Sequence, residues 1–164
     1  MFITNIFTVS FFGHRYIDHF RKVEEQVEHQ VQQLIEEHEY VEFLVGRDGD
    51  FDQIVSSAVK RAKKNIRDDN SALIWVLPYL TSEYQNNEDE YLKYYDEIEV
   101  CEESNAAHPK SAFQIRNRSM VERSDLVVFY VDHNSGGAYQ TYQYAKKQDK
   151  MFINIADMIE KGAK

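Results

Sequence analysis

Five of the six glycines in this 164-residue chain fall in three short segments, FFGHR around Gly13, GRDGDFD around Gly46 and Gly49, and HNSGGA around Gly136 and Gly137. Each segment follows an apolar run and precedes a stretch with helical spacing. Glycine at a strand end lets backbone N–H groups approach an anion, and a helix start adds its dipole to them. The neighbouring side chains suit the same task. His14 and Arg15 follow Gly13, Asp48 and Asp52 flank Gly49, and Ser135 and Ala138 bracket the glycine pair. Arg116 and Asn117 precede the run that leads to HNSGGA. Tyr79, Tyr130 and Tyr139 stand at or near strand ends, where a ring could stack on a base. The chemistry expected is recognition of a phosphate or another small anion.

The elements that must position these residues alternate between the two hydrophobic periods. Asn5 to Phe11 reads as a strand, and Ile17, Phe20, Val23, Val27, Val31, Leu34 and Ile35 mark a long amphipathic helix. Val41 to Val45 is a second strand, followed by a helix that Asp50 or Asp52 can cap. Ala72 to Leu77 is a third strand, ended by Pro78. Thr81 to Glu103 is strongly acidic and reads as solvated helix and loop with tyrosines on its inner side, and Ile98 to Cys101 as a short strand. Ser104 to Lys110 reads as loop, with Ser111 capping a helix to Arg123. Asp125 to Val131 is the fifth strand, a helix runs from the GGA turn to Gln148, and Met151 to Ile155 is a last strand before a frayed tail from Gly162. Strands alternating with helices predict a three-layer α/β sandwich with a mostly parallel central sheet, as one domain over residues 1–164. Ligands of such sheets collect at the carboxyl ends of the strands, where the glycine segments fall.

Composition narrows the function classes. A net charge of -9 carries the long-range field away from phosphate backbones, so extended nucleic acid is not expected as a partner. No apolar run reaches the roughly 20 residues of a membrane span, so no membrane partner is expected. The N-terminus lacks the basic start and small-residue cleavage site of a signal peptide. A lone Cys101 fits a reducing, cytoplasmic setting. No HExxH or CxxC spacing is present, and metal is not expected; nor is a cofactor. No GxSxG elbow occurs, and Ser135 has no assigned base.

FFGHR, GRDGDFD, RNRSMV and SGGAYQTYQYA, taken in order, resemble the SLOG superfamily, most closely its short bacterial YpsA-like branch. The resemblance implies a Rossmann-like fold and a nucleotide or nucleotide-derived ligand. Members include phosphoribohydrolases that activate cytokinins, sensors of ADP-ribose-type signals in phage defence, and a branch that processes DNA during transformation. Arg116 and Met120 match the hydrolases' Arg and Met, with Asn117 in the second place, so the resemblance implies that Arg116, by its planar fork of donors, holds the ligand's phosphate or ribose and that Asn117 and Gln143 fix its sugar or base. Their PGGxGTxxE motif is matched at Gly136 and Gly137, but Ser135 replaces Pro, Ala138 departs from the branch's GGT, and the catalytic Glu falls on Gln143 or Tyr144.

That departure favours a non-catalytic sensor or sink for an ADP-ribose-like ligand or nucleoside phosphate. The alternative is an N-glycosidic-bond hydrolase or transferase acting on nucleoside monophosphates. It would need its carboxylate from Asp48, Asp50, Asp52 or Asp132. A third possibility, DNA handling, requires a basic groove. A homo-oligomer is compatible with the long first helix.

Overall fold

A computed structural model describes residues 5–162. In chain order the elements are β1 (Ile6–Gly13), α1 (Phe20–Glu37), β2 (Tyr40–Val45), α2 (Asp50–Asn65) and β3 (Ser71–Leu77). Two short helices follow, α3 (Ser82–Asn86) and α4 (Glu88–Tyr94), then β4 (Glu97–Val100), α5 (Glu102–Asn105) and α6 (Pro109–Arg123). The chain continues with β5 (Leu126–Tyr130), α7 (Gly137–Lys147), β6 (Phe152–Asn154) and α8 (Ile155–Gly162). The strands form one sheet in the order β4-β3-β2-β1-β5-β6, with every neighbouring pair parallel.

Both faces of this sheet are covered, which is why its strands read as nearly unbroken apolar runs. All seven residues of β3 and all five of β5 are buried. Alternation along β1 divides the core: Val9 and Phe11 pack with α1, α2 and α8, and Phe12 packs with α6 and α7. The stripe of α1 is Val23, Val27, Val31, Leu34 and Ile35, at the spacing read from the sequence. Of Tyr91, Tyr94 and Tyr95, expected on the inner side of the acidic segment, Tyr91 and Tyr95 turn inward and Tyr94 stays exposed. Tyr84, Tyr91 and Tyr95 surround Trp75, with ring centroids 4.9 to 5.9 Å from it.

Several helix ends differ from expectation. Neither Asp50 nor Asp52 caps α2, which starts after Gly49. Asp52 instead turns inward and accepts the Asp48 N–H at 2.8 Å, while Asp50 accepts the Ile17 N–H at 3.2 Å. Helix α6 begins before Ser111, with Pro109 in its first turn and the His108 ring accepting the Lys110 N–H. The expected loop from Ser104 holds the second half of α5, fastened by the buried Ser104 hydroxyl donating to the Pro78 carbonyl. The final strand stops at Asn154, whose carboxamide oxygen accepts N–H groups from Val131 and Ala156 and so opens α8. Gly162 closes that helix, and the rest of the expected tail lies outside the described residues.

The topological switch falls between β1 and β5. The chain builds β2, β3 and β4 on one side of β1, then returns to lay β5 and β6 on the other. Loops leaving β1 and β5 therefore part in opposite directions and leave a crevice at their carboxyl ends.

Candidate functional site

That crevice is a cavity of about 470 Å³. Twelve of the fifteen residues expected at a ligand site line it, from all three glycine segments and from α6. The β1 loop contributes Gly13, His14 and Arg15; the β2 loop contributes Gly46, Asp48 and Asp52. Arg116 and Asn117 come from α6, and Ser135, Gly136, Gly137 and Ala138 from the turn into α7. Gly49, Tyr79 and Gln143 are not in its wall.

The floor is a buried polar network. Arg116 is 2% exposed and donates from Nε to Asn117 Oδ1 (3.0 Å), from Nη1 to the Val76 carbonyl (3.1 Å) and from Nη2 to Asp48 Oδ2 (2.7 Å). Asn117 Nδ2 donates to Thr141 Oγ1, and Thr141 donates in turn to the Gly137 carbonyl. Arg116 thus locks the ends of β2 and β3 to α6 and, through Asn117, to the first turn of α7. It braces the site, where the sequence suggested an arm reaching for ligand. Asp52 lies against this network, and its pKa is pushed up to about 7 by burial first and by the Asp48 charge second, against the Asp48 N–H and Arg116.

The opposite wall is built from unsatisfied donors. Helix α7 starts at Gly136 with no side-chain cap and no acidic residue in its first turn. Its leading N–H groups and dipole face the cavity mouth, an arrangement that attracts an anion. Gly136 has φ +92, where glycine avoids the strain of a side chain. Arg15 is exposed beside this wall, and its guanidinium makes no hydrogen bond or ion pair with another described residue. The glycines of the other two loops work differently. A Cβ on Gly13 would lie 2.3 Å from Phe51 Cγ, and one on Gly49 would lie 2.5 Å from the Arg15 Cα. These two let α2 and the β1 loop pack closely, a role apart from the backbone access expected of Gly13.

His14 is buried, its ring stacked on His133 with centroids 3.6 Å apart and planes 13° from parallel. Its pKa is lowered, by burial most and by His133 next, with Asp132 opposing. A neutral ring fits the geometry, since Nε2 lies 3.1 Å from the Asp132 N–H and accepts it. His14, Asp132 and His133 bring one metal-ligand atom each within 4.8 Å of the others, a grouping that motif spacing did not reveal. Ring lone pairs lie in the ring planes, however, and nearly parallel stacked rings aim them side by side. A tetrahedral ion needs them to converge.

Two further rings stand at the mouth, beyond those expected from the sequence. Tyr16 is 81% exposed and Phe113 39% exposed, and both line the cavity. Gln114 joins them, with Nε2 3.4 Å from the Gly137 carbonyl. Tyr130, a candidate for stacking, is 3% exposed and beyond a ligand's reach, and Tyr79 packs edge-on against Phe113. The signal for Tyr16 was its position three residues past Gly13; Phe113 gave none, because α6 brings it to the rim from a distant part of the chain.

No protein-family model matches the chain, and no curated protein matches it in sequence. Solved structures do. The X-ray structure of DNA processing protein A (DprA) from Streptococcus pneumoniae superposes with a TM-score of 0.64 at 15% identity, over 90% of this chain and 49% of that one. A structure of the Helicobacter pylori protein, concerned with its unique single-stranded DNA binding mode, superposes with a TM-score of 0.62 at 15% identity, over 95% of this chain and 73% of that one. This chain therefore spans about half the length of the first. At 15% identity the likeness is one of fold.

The likeness to a protein that binds single-stranded DNA corrects two expectations. One is a free, small nucleotide-derived ligand, whether sensed or cleaved; the other is the exclusion of extended nucleic acid. The physical reason lies in using a sum where a distribution was needed. Between Lys110 and Lys150, the quarter of the chain that carries α6 and α7, seven Lys and Arg stand against four Asp and Glu. The acids crowd the α3–α4 segment instead. Among the described residues, no helix is long and apolar enough to cross a membrane.

Proposed function

We propose that this chain binds single-stranded nucleic acid at the rim between β1 and β5. One backbone phosphate sits at the open N-terminus of α7, held by the N–H groups of Gly136, Gly137 and Ala138 and by Arg15. Flanking bases stack on Tyr16 and Phe113. The observation that carries the proposal is the juxtaposition of uncapped donors and a free arginine with two exposed rings on one cavity. Stacking platforms beside a phosphate track are how proteins hold single strands without reading sequence. A duplex hides its base faces and offers these rings nothing. The fold shared with DNA processing protein A supports the same partner.

We also assign the chain to the short bacterial YpsA-like branch of the SLOG superfamily, on the order of its four loop motifs, and to a reducing cytoplasm, on its lone cysteine. The test is fluorescence anisotropy with a labelled single strand of about 12 nucleotides over a salt series. Binding that weakens as salt rises, with a slope that reflects few phosphates, is expected. No binding to single strands at low salt would refute the proposal.

A further inference from the structure

A second cavity, of about 400 Å³, adjoins the first; Gly46 and Asp52 line both. Its other walls are Arg47 from the β2 loop, Gln53, Ser56 and Ser57 from α2, and Glu90, Tyr91, Tyr94 and Tyr95 from α4 and its end. Three tyrosines around one hollow are more ring surface than an ordinary solvent-facing groove carries. Two cations fix those rings in place. The Arg47 guanidinium lies 5.2 Å over Tyr91 and 3.5 Å from the Tyr95 hydroxyl, and Lys60 lies 4.4 Å over Tyr94. The saddle between the two cavities depends on the missing side chain at Gly46. A Cβ there would meet Asp48 Oδ2 at 2.9 Å and both Asp52 Oδ2 and Arg116 Nη1 at 3.3 Å.

The polar groups of this hollow suit a base better than a phosphate. Glu90 repels an anion, and the carboxyl oxygens of Glu90 and Asp52 can accept N–H bonds from an exocyclic amine, as carboxyl groups do from cytosine N4. Resting on the proposal that a strand occupies the first cavity, we infer that the second holds one nucleobase of that strand, preferably one bearing an exocyclic amine. The base lies against Tyr94 and Tyr91, its amine turned to Asp52 or Glu90. Thymine, without an exocyclic amine, leaves those carboxyl oxygens unpaired and binds less well.

Short oligomers of dC and of dT, alike in ring size, separate these ideas. The single tryptophan, Trp75, lies behind the hollow with Tyr91 4.9 Å away and Arg47 5.9 Å away, and reports occupancy by its emission. The full chain is expected to bind oligo-dC about tenfold tighter than oligo-dT, with a change in Trp75 emission for dC only. Tyr94→Ala, at an exposed position, brings dC down to the dT level. Arg15→Ala weakens both oligomers alike and leaves their ratio intact. Equal binding of dC and dT, with no effect of Tyr94→Ala on either, overturns this inference and leaves the first cavity's role standing. Failure of both oligomers to bind removes the strand itself.

Discussion

Replacing Asp52 by Asn makes the protein more stable, and more so as pH rises. Asp52 is buried and its pKa stands near 7 against an ordinary 3.8, a gap of about three pH units. Below the ordinary value both folded and unfolded chains hold the proton, and the group costs nothing. Between the two values the unfolded chain ionises while the folded one does not, so stability falls with rising pH. Above about 7 the loss is complete, at most about 4 kcal/mol at 1.36 kcal/mol per unit. The carboxamide introduced by Asp52→Asn keeps an oxygen for the Asp48 N–H and has no proton to lose. Urea unfolding of both proteins from pH 5 to pH 8 measures the difference directly. The variant's advantage is expected to grow by about 2 to 3 kcal/mol across that range. His14 contributes with the opposite sign, since a buried neutral imidazole loses stability as pH falls through 6.5 and below. It does so in both proteins and cancels. Parallel pH profiles for wild type and variant would refute the assignment of Asp52 as a buried acid held protonated by its surroundings.

Gly13→Ala drives a methyl group into the fully buried Phe51 ring and is expected to cost about 1–3 kcal/mol in denaturant unfolding. Gly136→Ala meets no atom within 4 Å and costs only the strain of its positive φ, about 1–2 kcal/mol by the same measurement. Arg116→Ala leaves the half-exposed Asp48 without its partner and the buried Val76 carbonyl without its Arg116 donor, for an expected loss of about 1–3 kcal/mol. Arg15→Ala leaves the melting temperature unchanged and lowers the slope of log Kobs against log salt by about one phosphate contact in an anisotropy titration. Tyr16→Ala weakens single-strand binding by about 1–3 kcal/mol with no change in stability.

Much of this architecture was legible from period and punctuation. Apolar runs of five to seven residues between helical stretches forced a parallel sheet, and the skew of glycines to three loops identified its working edge. What a glycine is for was less legible. Gly13 and Gly136 look alike in a string, yet one makes room for a ring and the other permits a left-handed turn. Arg116 has the chemistry of a phosphate ligand, and only the arrival of Asp48 and the Val76 carbonyl from other loops turns it into a brace. The start of α6 was hidden because Ser111 is the better cap by type, whereas Pro109 sets the helix start by its fixed φ. Phe113 was hidden because an exposed ring carries no periodic signature and it reaches the rim from nearly a hundred residues away in the chain, whereas Tyr16 was marked only by its place three residues past Gly13. Net charge misled for a similar reason, since residues 81–103, with nine Asp and Glu against one Lys, supply most of it.

The most direct test of a strand at the β1–β5 rim is photo-crosslinking with single-stranded DNA carrying iodinated uracil, followed by mass spectrometry of the adducts. Adducts on Tyr16 or Phe113, abolished by excess unlabelled single strand and absent with duplex, are predicted. Adducts confined to other faces of the protein, such as the outer side of α1 or the acidic α3–α4 segment, would contradict it.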